Sequence, residues 1–412
     1  MPSKYLSTKP QILVFFTAEF PYGKGETFIE AEIKYLSDAF GEVIIIPGIK
    51  EGIARPVPAN VVVCDGPLET GLPLFFLLRS FFSGSLWKEL TIAKNVLGRR
   101  ISWKVFKIAF KAMADSLCWA AWLKNKFPET GAHRYVFYTY WCDAKTLALT
   151  WLKSERKQDK FVTRLHGWDV YQERHNPAYL PFRKKMAEQL DAMVFISENG
   201  RKYVQRVWKL KNTDSLKLFR LGTRQPLPFY GEEKLHLVSC SGMIPLKRVG
   251  LIADAVISLK GQISWTHLGG GPLMAEMQTK INEAGAVTYI TLLGNLPNGD
   301  VHGWFAGHPG GFFINVSETE GLPVSVMEAM SYAFPVIATD VGGTGEIVRN
   351  GVNGFLLRAD PTRQEVADVL DRYIKFLPEE RERIRQQAYN TWKEGYSAEK
   401  NFTEFACFLA QR

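Results

Sequence analysis

Residues 311–357 read GFFINVSETEGLPVSVMEAMSYAFPVIATDVGGTGEIVRNGVNGFLL. Two apolar runs, FFINVS and PVIAT, end in polar residues, and each is followed by a glycine-containing loop. The first loop leads into VSVMEAMSY, which has the composition of a helix. This pattern predicts buried parallel strands that alternate with crossover helices. Because ligands of open parallel sheets bind beyond the carboxyl ends of the strands, both loops are expected at a binding site.

The first of these loops holds two carboxylates around the predicted start of a helix. Pro323 suits the first turn of the helix, Glu320 lies in the loop before it, and Glu328 lies about five residues inside it. The N–H groups of such a helix start attract an anion such as a phosphate, whereas carboxylates accept hydrogen bonds from sugar or ribose hydroxyls. This combination favours a nucleotide-sugar. The alternative is that both glutamates are solvated or capping residues of a surface helix.

The alternation of strand and helix patterns extends over the rest of the chain. Short β-branched runs recur between helix-like stretches, which predicts an α/β fold with parallel sheets. The runs lie at 12–18, 42–48, 161–165, 192–197, 235–242, 264–271, 287–294, 311–317 and 335–340. One open sheet rarely holds so many strands, so two α/β domains are predicted. The polar, turn-rich segment 209–234 interrupts the pattern and is the expected boundary.

Length and composition restrict the class of protein. The chain has 412 residues, 46% hydrophobic and 23% charged, which excludes a disordered chain, a collagen and a coiled coil. No uncharged apolar run approaches the ~18–20 residues that cross a bilayer, and the first residues lack the features of a secretory signal. Five scattered cysteines without a C-x-x-C pair favour a reducing compartment over disulfides or structural zinc. We therefore expect a cytoplasmic protein, or one that is peripheral on the inner face of the cell membrane.

The segment 79–126 is strongly basic. It holds ten Lys or Arg against two acidic residues, a local charge of +8 within a chain of net charge +9. On a helix, Lys104, Lys107 and Lys111 would share one face, with apolar side chains elsewhere. The segment is either an ordinary solvated surface or a surface that contacts the headgroups of anionic lipids.

The quoted string resembles the glutamate-x7-glutamate signature of retaining glycosyltransferases with the GT-B architecture, specifically family 4. Seven residues separate Glu320 from Glu328, and the flanking SETEGLPVS, EAMS, PVIATDVGGT and GFLL also match. The resemblance implies that Glu320 contacts the hydroxyls of the donor sugar and that Glu328 holds those of the ribose. It also implies that Gly321, Leu322 and Pro323 contribute to donor binding.

The resemblance covers nearly the whole chain and implies its organisation. Two Rossmann-like doubly wound domains are expected to face a cleft. Residues 1–222 would bind the acceptor and residues 223–392 the nucleotide-sugar, and a C-terminal helix within 393–412 would cross back onto the first domain. Motifs in the first half resemble those of the members that assemble surface polysaccharides, such as the colanic-acid type.

The stretch SCSGMIPLKRVGLIADAV, at 239–256, resembles the first strand and helix of the nucleotide-binding domain. The resemblance implies that Lys247 neutralises the donor diphosphate. The family usually has an arginine at the position of Gly242, which is a departure from the pattern. Arg248, next to Lys247, is the candidate to replace it. From the residues alone, Lys247 would be a surface lysine after a turn.

Two features of the first half match the same subgroup. In FPYGKGETFIEAEIKYL, at 20–36, Gly25 lets the backbone approach a ligand closely, unless the stretch is a plain helix-entry turn. In TRLHGWDVY, at 163–171, His166 follows a predicted strand and precedes a glycine. A lone histidine is often structural, but the resemblance implies that His166 contacts the donor sugar near the reacting centre.

The resemblance implies a retaining hexosyltransferase. It would move a sugar from a UDP- or GDP-linked donor to a hydroxyl of a saccharide or lipid-linked saccharide acceptor, in the synthesis of a polysaccharide such as lipopolysaccharide or capsule. The sequence has no Asp-x-Asp motif, so we expect a metal-independent reaction with no cofactor besides the donor substrate. Lys247 and the helix start would then stabilise the leaving diphosphate.

Two other classes of function stay open. One is a different enzyme of the same architecture, such as a sugar-nucleotide 2-epimerase or a phosphorylase. The other is a non-catalytic donor-binding subunit, which the glycine at position 242 motivates. A dinucleotide-dependent dehydrogenase is less favoured because the sequence lacks G-x-G-x-x-G after a first strand, and no module supports nucleic acid as a partner.

Overall fold

The computed structural model describes residues 11–23, 25–67, 72–98, 100–129, 131 and 133–411. The described residues form two compact units. One extends to Arg220 and includes the chain again from Phe402 onwards, and the other is Leu221–Asn401. The N-terminal residues in which a secretory signal was sought, and Arg99 of the basic segment, lie outside the described residues.

In the described part of the first unit, seven parallel strands form one sheet in the order β3-β2-β1-β4-β5-β6-β7. The strands are β1 Gln11–Thr17, β2 Glu42–Pro47, β3 Val61–Val63, β4 Arg134–Thr139, β5 Lys160–Leu165, β6 Ala192–Phe195 and β7 Leu216–Leu218. The central strand β1 is apolar along its length, and Leu13, Val14, Phe15 and Phe16 are fully buried. Such a continuous apolar run forms a strand that is covered on both faces, as in doubly wound sheets.

Helices connect these strands and cover the sheet. They are α1 Ile29–Ala39, α2 Leu74–Phe81, α3 Gly84–Asn95, α4 Trp103–Lys126, α5 Ala144–Lys153, α6 Arg183–Gln189 and α7 Glu198–Val207. Side chains cap several of them. Ser102 accepts a hydrogen bond from the Val105 amide at the start of α4, and Asp143 forms a capping box with Thr146 at the start of α5.

In the described part of the second unit, six parallel strands form a sheet in the order β10-β9-β8-β11-β12-β13. The strands are β8 Leu237–Cys240, β9 Trp265–Leu268, β10 Ile290–Leu292, β11 Phe312–Asn315, β12 Val336–Thr339 and β13 Gly354–Leu357. The helices are α8 Val249–Ser258, α9 Met274–Glu283, α10 Asn298–Gly307, α11 Val324–Ser331, α12 Thr344–Ile347, α13 Arg363–Ile374, α14 Pro378–Gly395 and α15 Ala398–Ala410. In both sheets the first and fourth strands of the unit are neighbours, which is the switch point of a doubly wound fold.

The end of α15 packs into the first unit around a buried ion pair. The Arg164 guanidinium, on β5, lies 2.5 Å from the Glu32 carboxylate of α1, and both side chains are fully buried. The same guanidinium lies 3.9 Å from the ring centroid of Phe405, on α15. The Lys160 ammonium also donates a hydrogen bond to the carbonyl of Phe408. The last turns of the chain therefore complete the core of the first unit.

The predicted α/β class with two doubly wound sheets is confirmed. All nine predicted runs contain strands, but the pattern missed β3, β4, β7 and β13. Strands β3 and β7 have only three residues, which is too short for a periodic signal. The segment 209–234, expected to be the boundary between the domains, contains β7. No helix in the described ranges is both long and apolar enough to span a bilayer.

Candidate active site

The strongest candidate site lies at the switch point of the second unit. Strand β8 ends at Cys240 and β11 ends at Asn315, and the loops that follow these neighbouring strands meet. The Lys247 ammonium, from the loop after β8, lies 2.6 Å from the Glu320 carboxylate, from the loop after β11. The Asn315 side-chain amide donates a second hydrogen bond, of 3.2 Å, to the same carboxylate oxygen. The fold thus brings two of the predicted site residues into direct contact.

Arg248 holds these two loops together. Its backbone has a left-handed φ of 47°, between the short helical turn Pro245–Lys247 and α8. Its guanidinium donates hydrogen bonds to the carbonyl oxygens of Val316, Ser317 and Ala359, at 2.6, 3.1 and 2.8 Å. A further hydrogen bond of 3.1 Å goes to Asp360. These contacts give Arg248 a structural role, and its suggested role at the diphosphate stays a prediction.

The glycine turn after β12 packs closely against the backbone of Glu320. Gly342 has a φ of +56°, and a Cβ atom there would overlap the carbonyl oxygen of Glu320. The adjacent Gly343 amide donates a 2.9 Å hydrogen bond to the Gly321 carbonyl. Only glycine permits both the backbone conformation and this close approach. Sequence reasoning did not assign Gly342 to the site, although the paired glycines after a predicted strand were a usable signal.

Glu328 occupies a separate, buried polar pocket on α11. It is the fifth residue of the helix, and the Asn298 side chain donates a 3.1 Å hydrogen bond to it. The nearest His302 ring nitrogen lies 3.8 Å from the same carboxylate oxygen. Burial raises the pKa of Glu328 to about 7, against smaller opposing effects of Asn298 and the Arg224 charge. Asn298 and His302 were missed because they come from α10, whose sequence carries no motif.

Glu320 and Glu328 lie near the same edge of the second sheet, around Cys240 at the end of β8. Burial raises the pKa of its thiol to about 12. The negative charge of Glu328 raises that pKa further, and the positive charge of Lys247 lowers it. Because both charges act on one thiol at the end of β8, the Lys247–Glu320 pair and Glu328 lie around the same strand end.

The other predicted donor residues lie at the same strand ends. Gly321, Leu322 and Pro323 lead directly into α11, with Leu322 and Pro323 buried and Gly321 partly exposed. Gly242 is exposed, and the nearest atom to a Cβ built on it is the Gly270 carbonyl oxygen, 4.0 Å away. The loop therefore has room for a larger side chain at the position where the family usually has arginine.

His166 lies in the first unit, at the carboxyl end of β5. Its ring is buried between the rings of Tyr140 and Trp141, with both centroids 4.6 Å away. Among the described residues, neither ring nitrogen has a hydrogen-bond partner. Burial and the Arg164 charge hold the pKa of His166 well below its usual value, so the imidazole is neutral. His166 is thus a buried, neutral imidazole without a hydrogen-bond partner in the described part of the chain, which is unusual for a buried polar group.

Gly25 lies in the loop between β1 and α1, close to a structural carboxylate. The Glu26 carboxylate accepts backbone hydrogen bonds from Ala18, Glu19 and Phe20, at 3.0, 2.8 and 2.8 Å. It also accepts a 2.5 Å hydrogen bond from the indole of Trp141. Glu26 therefore fixes both the loop and one of the rings around His166. Gly25 itself is exposed next to it.

A cavity of about 520 Å³ opens beside this loop in the first unit. Its walls are mostly apolar, and its lining includes Trp141, Asp143, Trp168, Asp169 and Met186. Trp168 is 59% exposed. Asp169 is buried, accepts the amides of Cys142 and His166, and has its pKa raised by burial to about 6. The cavity thus combines aromatic surface with a few polar groups, as small-molecule sites usually do.

No group of three or more His, Cys, Asp or Glu side chains suited to a metal ion occurs in the ranges that the structure describes.

Comparisons with known proteins agree with this architecture. Residues 234–375 match the family model "Glycosyl transferases group 1". The O-antigen biosynthesis glycosyltransferase WbnH of Escherichia coli is 30% identical over 142 residues, 34% of this chain and 37% of that protein. The match to such curated relatives thus spans about a third of their length.

Two further relatives match over most of their length. The amylovoran biosynthesis glycosyltransferase AmsK of Erwinia amylovora is 26% identical over 375 residues, 84% of this chain and 86% of that protein. The crystal structure of HepE from Anabaena, in complex with UDP and glucose, superimposes with a TM-score of 0.63 at 15% identity, covering 96% of this chain and 99% of HepE. The family expected from the sequence is therefore confirmed: residues 234–375 form a domain of the glycosyl transferases group 1, within a GT-B fold.

Proposed function

We propose that this protein is a retaining glycosyltransferase that moves a hexose-type sugar from a UDP- or GDP-sugar to a hydroxyl of a saccharide or lipid-linked saccharide. The reaction would serve the synthesis of a surface polysaccharide, on the inner face of the cell membrane. The observation that supports this most directly is the 2.6 Å contact between Lys247 and Glu320 at the switch point of the second sheet. The similarity to WbnH and AmsK, which are glycosyltransferases of O-antigen and amylovoran biosynthesis, supports a role in the synthesis of a polysaccharide.

The chemistry of the donor fits the charges at this edge. Breaking the bond between the sugar and the diphosphate leaves a developing negative charge, which Lys247 and the start of α11 would stabilise. Glu320 would accept hydrogen bonds from sugar hydroxyls. Donor binding would then replace the Lys247–Glu320 contact by one contact with phosphate and one with the sugar. Because Lys247 supplies the cation and the sequence lacks Asp-x-Asp, we propose a metal-independent reaction.

Glu328 would hold the ribose. A carboxylate accepts hydrogen bonds from two neighbouring hydroxyls, and the buried pocket with Asn298 excludes competing water. The complex of HepE with UDP and glucose supports a uridine nucleotide and a hexose as the first donor class to test.

The acceptor would use the cavity of the first unit, and His166 would contact the donor sugar. The neutral, unpaired imidazole of His166 suits a sugar hydroxyl, and Trp168 offers an aromatic surface to a sugar ring. For retention, the acceptor hydroxyl would attack from the side of the leaving group, whose phosphate oxygen takes the proton. A separate general base is then not required.

The test is release of nucleoside diphosphate from a panel of UDP- and GDP-sugars, with and without a membrane extract as the source of acceptor. Transfer by the wild type should resist chelation of divalent ions. Glu320→Gln should lose most of it, whereas Glu318→Gln, an exposed carboxylate in the same loop, should keep it. Equal rates in these two variants would refute the assigned site.

The same assay separates the other classes of function. Conversion of a nucleotide-sugar without any acceptor would indicate an epimerase. Nucleotide binding without turnover on every acceptor would indicate a donor-binding subunit.

A further inference from the structure

Helices α2, α3 and the start of α4 expose large apolar side chains to solvent. Phe82 is 80% exposed, Leu74 69%, Trp103 67%, Phe75 62% and Leu78 56%. A single exposed apolar residue needs no explanation, but a cluster on one face indicates a binding surface.

A chain of ring contacts joins Phe82 to Trp103 through Phe81, Trp87 and the partly buried Phe106. Ring centroids lie 5.5 Å apart between Phe81 and Phe82, 5.7 Å between Phe81 and Trp87, and 6.4 Å between Trp87 and Phe106. Trp103 stacks on Phe106 at 5.4 Å. We call these five residues the aromatic patch. It joins the end of α2, the start of α3 and the start of α4.

The charges around the aromatic patch are mostly positive, and the Glu155 carboxylate, which lines one surface pocket with Phe82, is paired with Lys124 at 2.6 Å. Between Leu74 and Lys126 the sequence has two acidic residues, Glu89 and Asp115. Glu89 is 3% exposed and accepts a hydrogen bond from Tyr179, and Asp115 is paired with Lys111 at 2.6 Å. The unpaired surface charge of this segment is therefore positive.

Basic residues lie directly beside the aromatic rings. The Lys107 ammonium is 5.2 Å from the Trp103 ring centroid. Lys88 and Lys104 are exposed next to Trp87 and Trp103 in the chain. Tryptophan and phenylalanine flanked by lysine are the side chains that bind at the boundary between lipid headgroups and acyl chains.

We propose that the aromatic patch inserts into the interfacial zone of an anionic bilayer while the surrounding lysines contact the lipid headgroups. The sequence alone offered contact between the basic segment 79–126 and lipid headgroups, and the structure adds an aromatic surface for insertion. The biological purpose of this surface rests on the proposed function, because it would bring the enzyme to a lipid-linked acceptor. The binding itself does not depend on it.

The experiment is co-sedimentation of the full chain with vesicles of phosphatidylcholine alone or mixed with phosphatidylglycerol, at low and high salt. Wild type should bind the anionic vesicles, and part of the binding should persist in high salt, because insertion of apolar groups is not screened. Phe82→Ser with Trp103→Ser should weaken binding about tenfold and abolish the salt-resistant part. Ile53→Ser with Val287→Ser is the matched control, since these side chains are 92% and 55% exposed outside the aromatic patch.

A swap variant, Phe82→Trp with Trp103→Phe, retains the aromatic character and should bind like wild type. Nucleotide binding, measured by calorimetry, should be unchanged in every variant, so a failure of donor binding is distinguishable from a failure of this proposal. The proposal is overturned if wild type does not bind anionic vesicles. It is also overturned if the serine pair binds as well as wild type, or if the matched control loses as much binding as the serine pair.

Discussion

The two sheets of this protein have the same topology at their switch points but different side chains at their carboxyl edges. In the second unit, the edge presents an ammonium and a carboxylate in contact, Lys247 and Glu320. In the first unit, the edge presents a neutral imidazole, His166, between the rings of Tyr140 and Trp141. The shared topology decides where loops converge, and the side chains on those loops decide what they bind.

This difference fits the two halves of the proposed sugar transfer. A diphosphate requires fixed positive charge where negative charge develops, and the second edge has it. A sugar ring requires an aromatic face and a few hydrogen-bond partners, and the first edge has Trp168 with Asp143 and Asp169. Substitutions at the second edge should therefore affect the donor, and substitutions in the cavity of the first edge, such as at Trp168, should affect the acceptor. His166, which is proposed to contact the donor sugar, should affect the donor.

The largest effect is expected at the charged edge. Lys247→Met removes the cation proposed for the leaving diphosphate and should lower kcat by about 10²- to 10³-fold. Lys260→Met, an exposed lysine after α8, is the control and should have the wild-type rate. Steady-state kinetics with saturating donor would measure this. A loss of less than about threefold in Lys247→Met would mean that another group stabilises the leaving phosphate.

The next largest effect is expected in nucleotide binding, which should depend on pH through Glu328. With a pKa raised to about 7, the free carboxyl is partly protonated at neutral pH, and only the carboxylate accepts hydrogen bonds from both ribose hydroxyls. Affinity for the nucleotide should therefore increase as pH rises through about 7. Glu328→Gln should weaken binding about tenfold above that pH and remove the pH dependence. Titration calorimetry across this range would show it, and an unchanged pH profile in the variant would contradict the assignment.

The Glu328 carboxyl should also make the stability of the fold depend on pH, but stability should decrease, and not increase, as pH rises. Because folding raises its pKa from 4.5, the folded protein binds more protons than the unfolded chain, and stability falls as pH rises from 4.5 to about 7. Glu328→Gln removes this charge and should increase the free energy of unfolding at pH above 7, by about 1–3 kcal/mol. Denaturant unfolding of both proteins measures the difference, and a destabilised variant would show that the hydrogen bond from Asn298 to the carboxylate outweighs the cost of burying the charge.

At the aromatic edge we expect a smaller effect. Trp168→Ala should raise KM for the acceptor by roughly tenfold while KM for the donor and slow donor hydrolysis stay unchanged. Trp168→Phe retains a ring and should recover most of the affinity. If KM for the donor rises as much as KM for the acceptor, the assignment of the acceptor to the first edge is wrong.

The smallest effect is expected at Gly242. A Cβ there meets its nearest neighbour at 4.0 Å, so Gly242→Arg should fold normally. If the glycine merely removes the phosphate contact that the family's arginine makes, the variant should bind the nucleotide more tightly. Its transfer activity should equal that of the wild type or exceed it a few-fold. A marked loss of activity would show that the loop contacts the donor in another way.

The sequence predicted the class of fold because doubly wound sheets require long apolar runs. Strands such as β1 and β11 are therefore visible without any structure. The contact between Lys247 and Glu320 was also within reach, since each residue follows a predicted strand and the family signature assigns both to the donor.

Other parts of the site depend on tertiary contacts that no local pattern encodes. Asn298 and His302 approach Glu328 from a helix that precedes it by a whole strand, in a sequence without a motif. The hydrogen bonds from Arg248 to three carbonyl oxygens could not be predicted either, because the N–H groups of a guanidinium bind a phosphate equally well. The apolar exposure of α2 required the structure, since LFFLLRSF has the composition of a buried helix.

The buried Arg164–Glu32 pair makes the first unit dependent on the last residues of the chain. A fragment that stops at Arg220 would lack the ring of Phe405 above that guanidinium and the carbonyl of Phe408 that receives Lys160. The first unit can therefore complete its core only after the second unit has been synthesised. Separate expression of the two halves would therefore yield an N-terminal piece with an incomplete core.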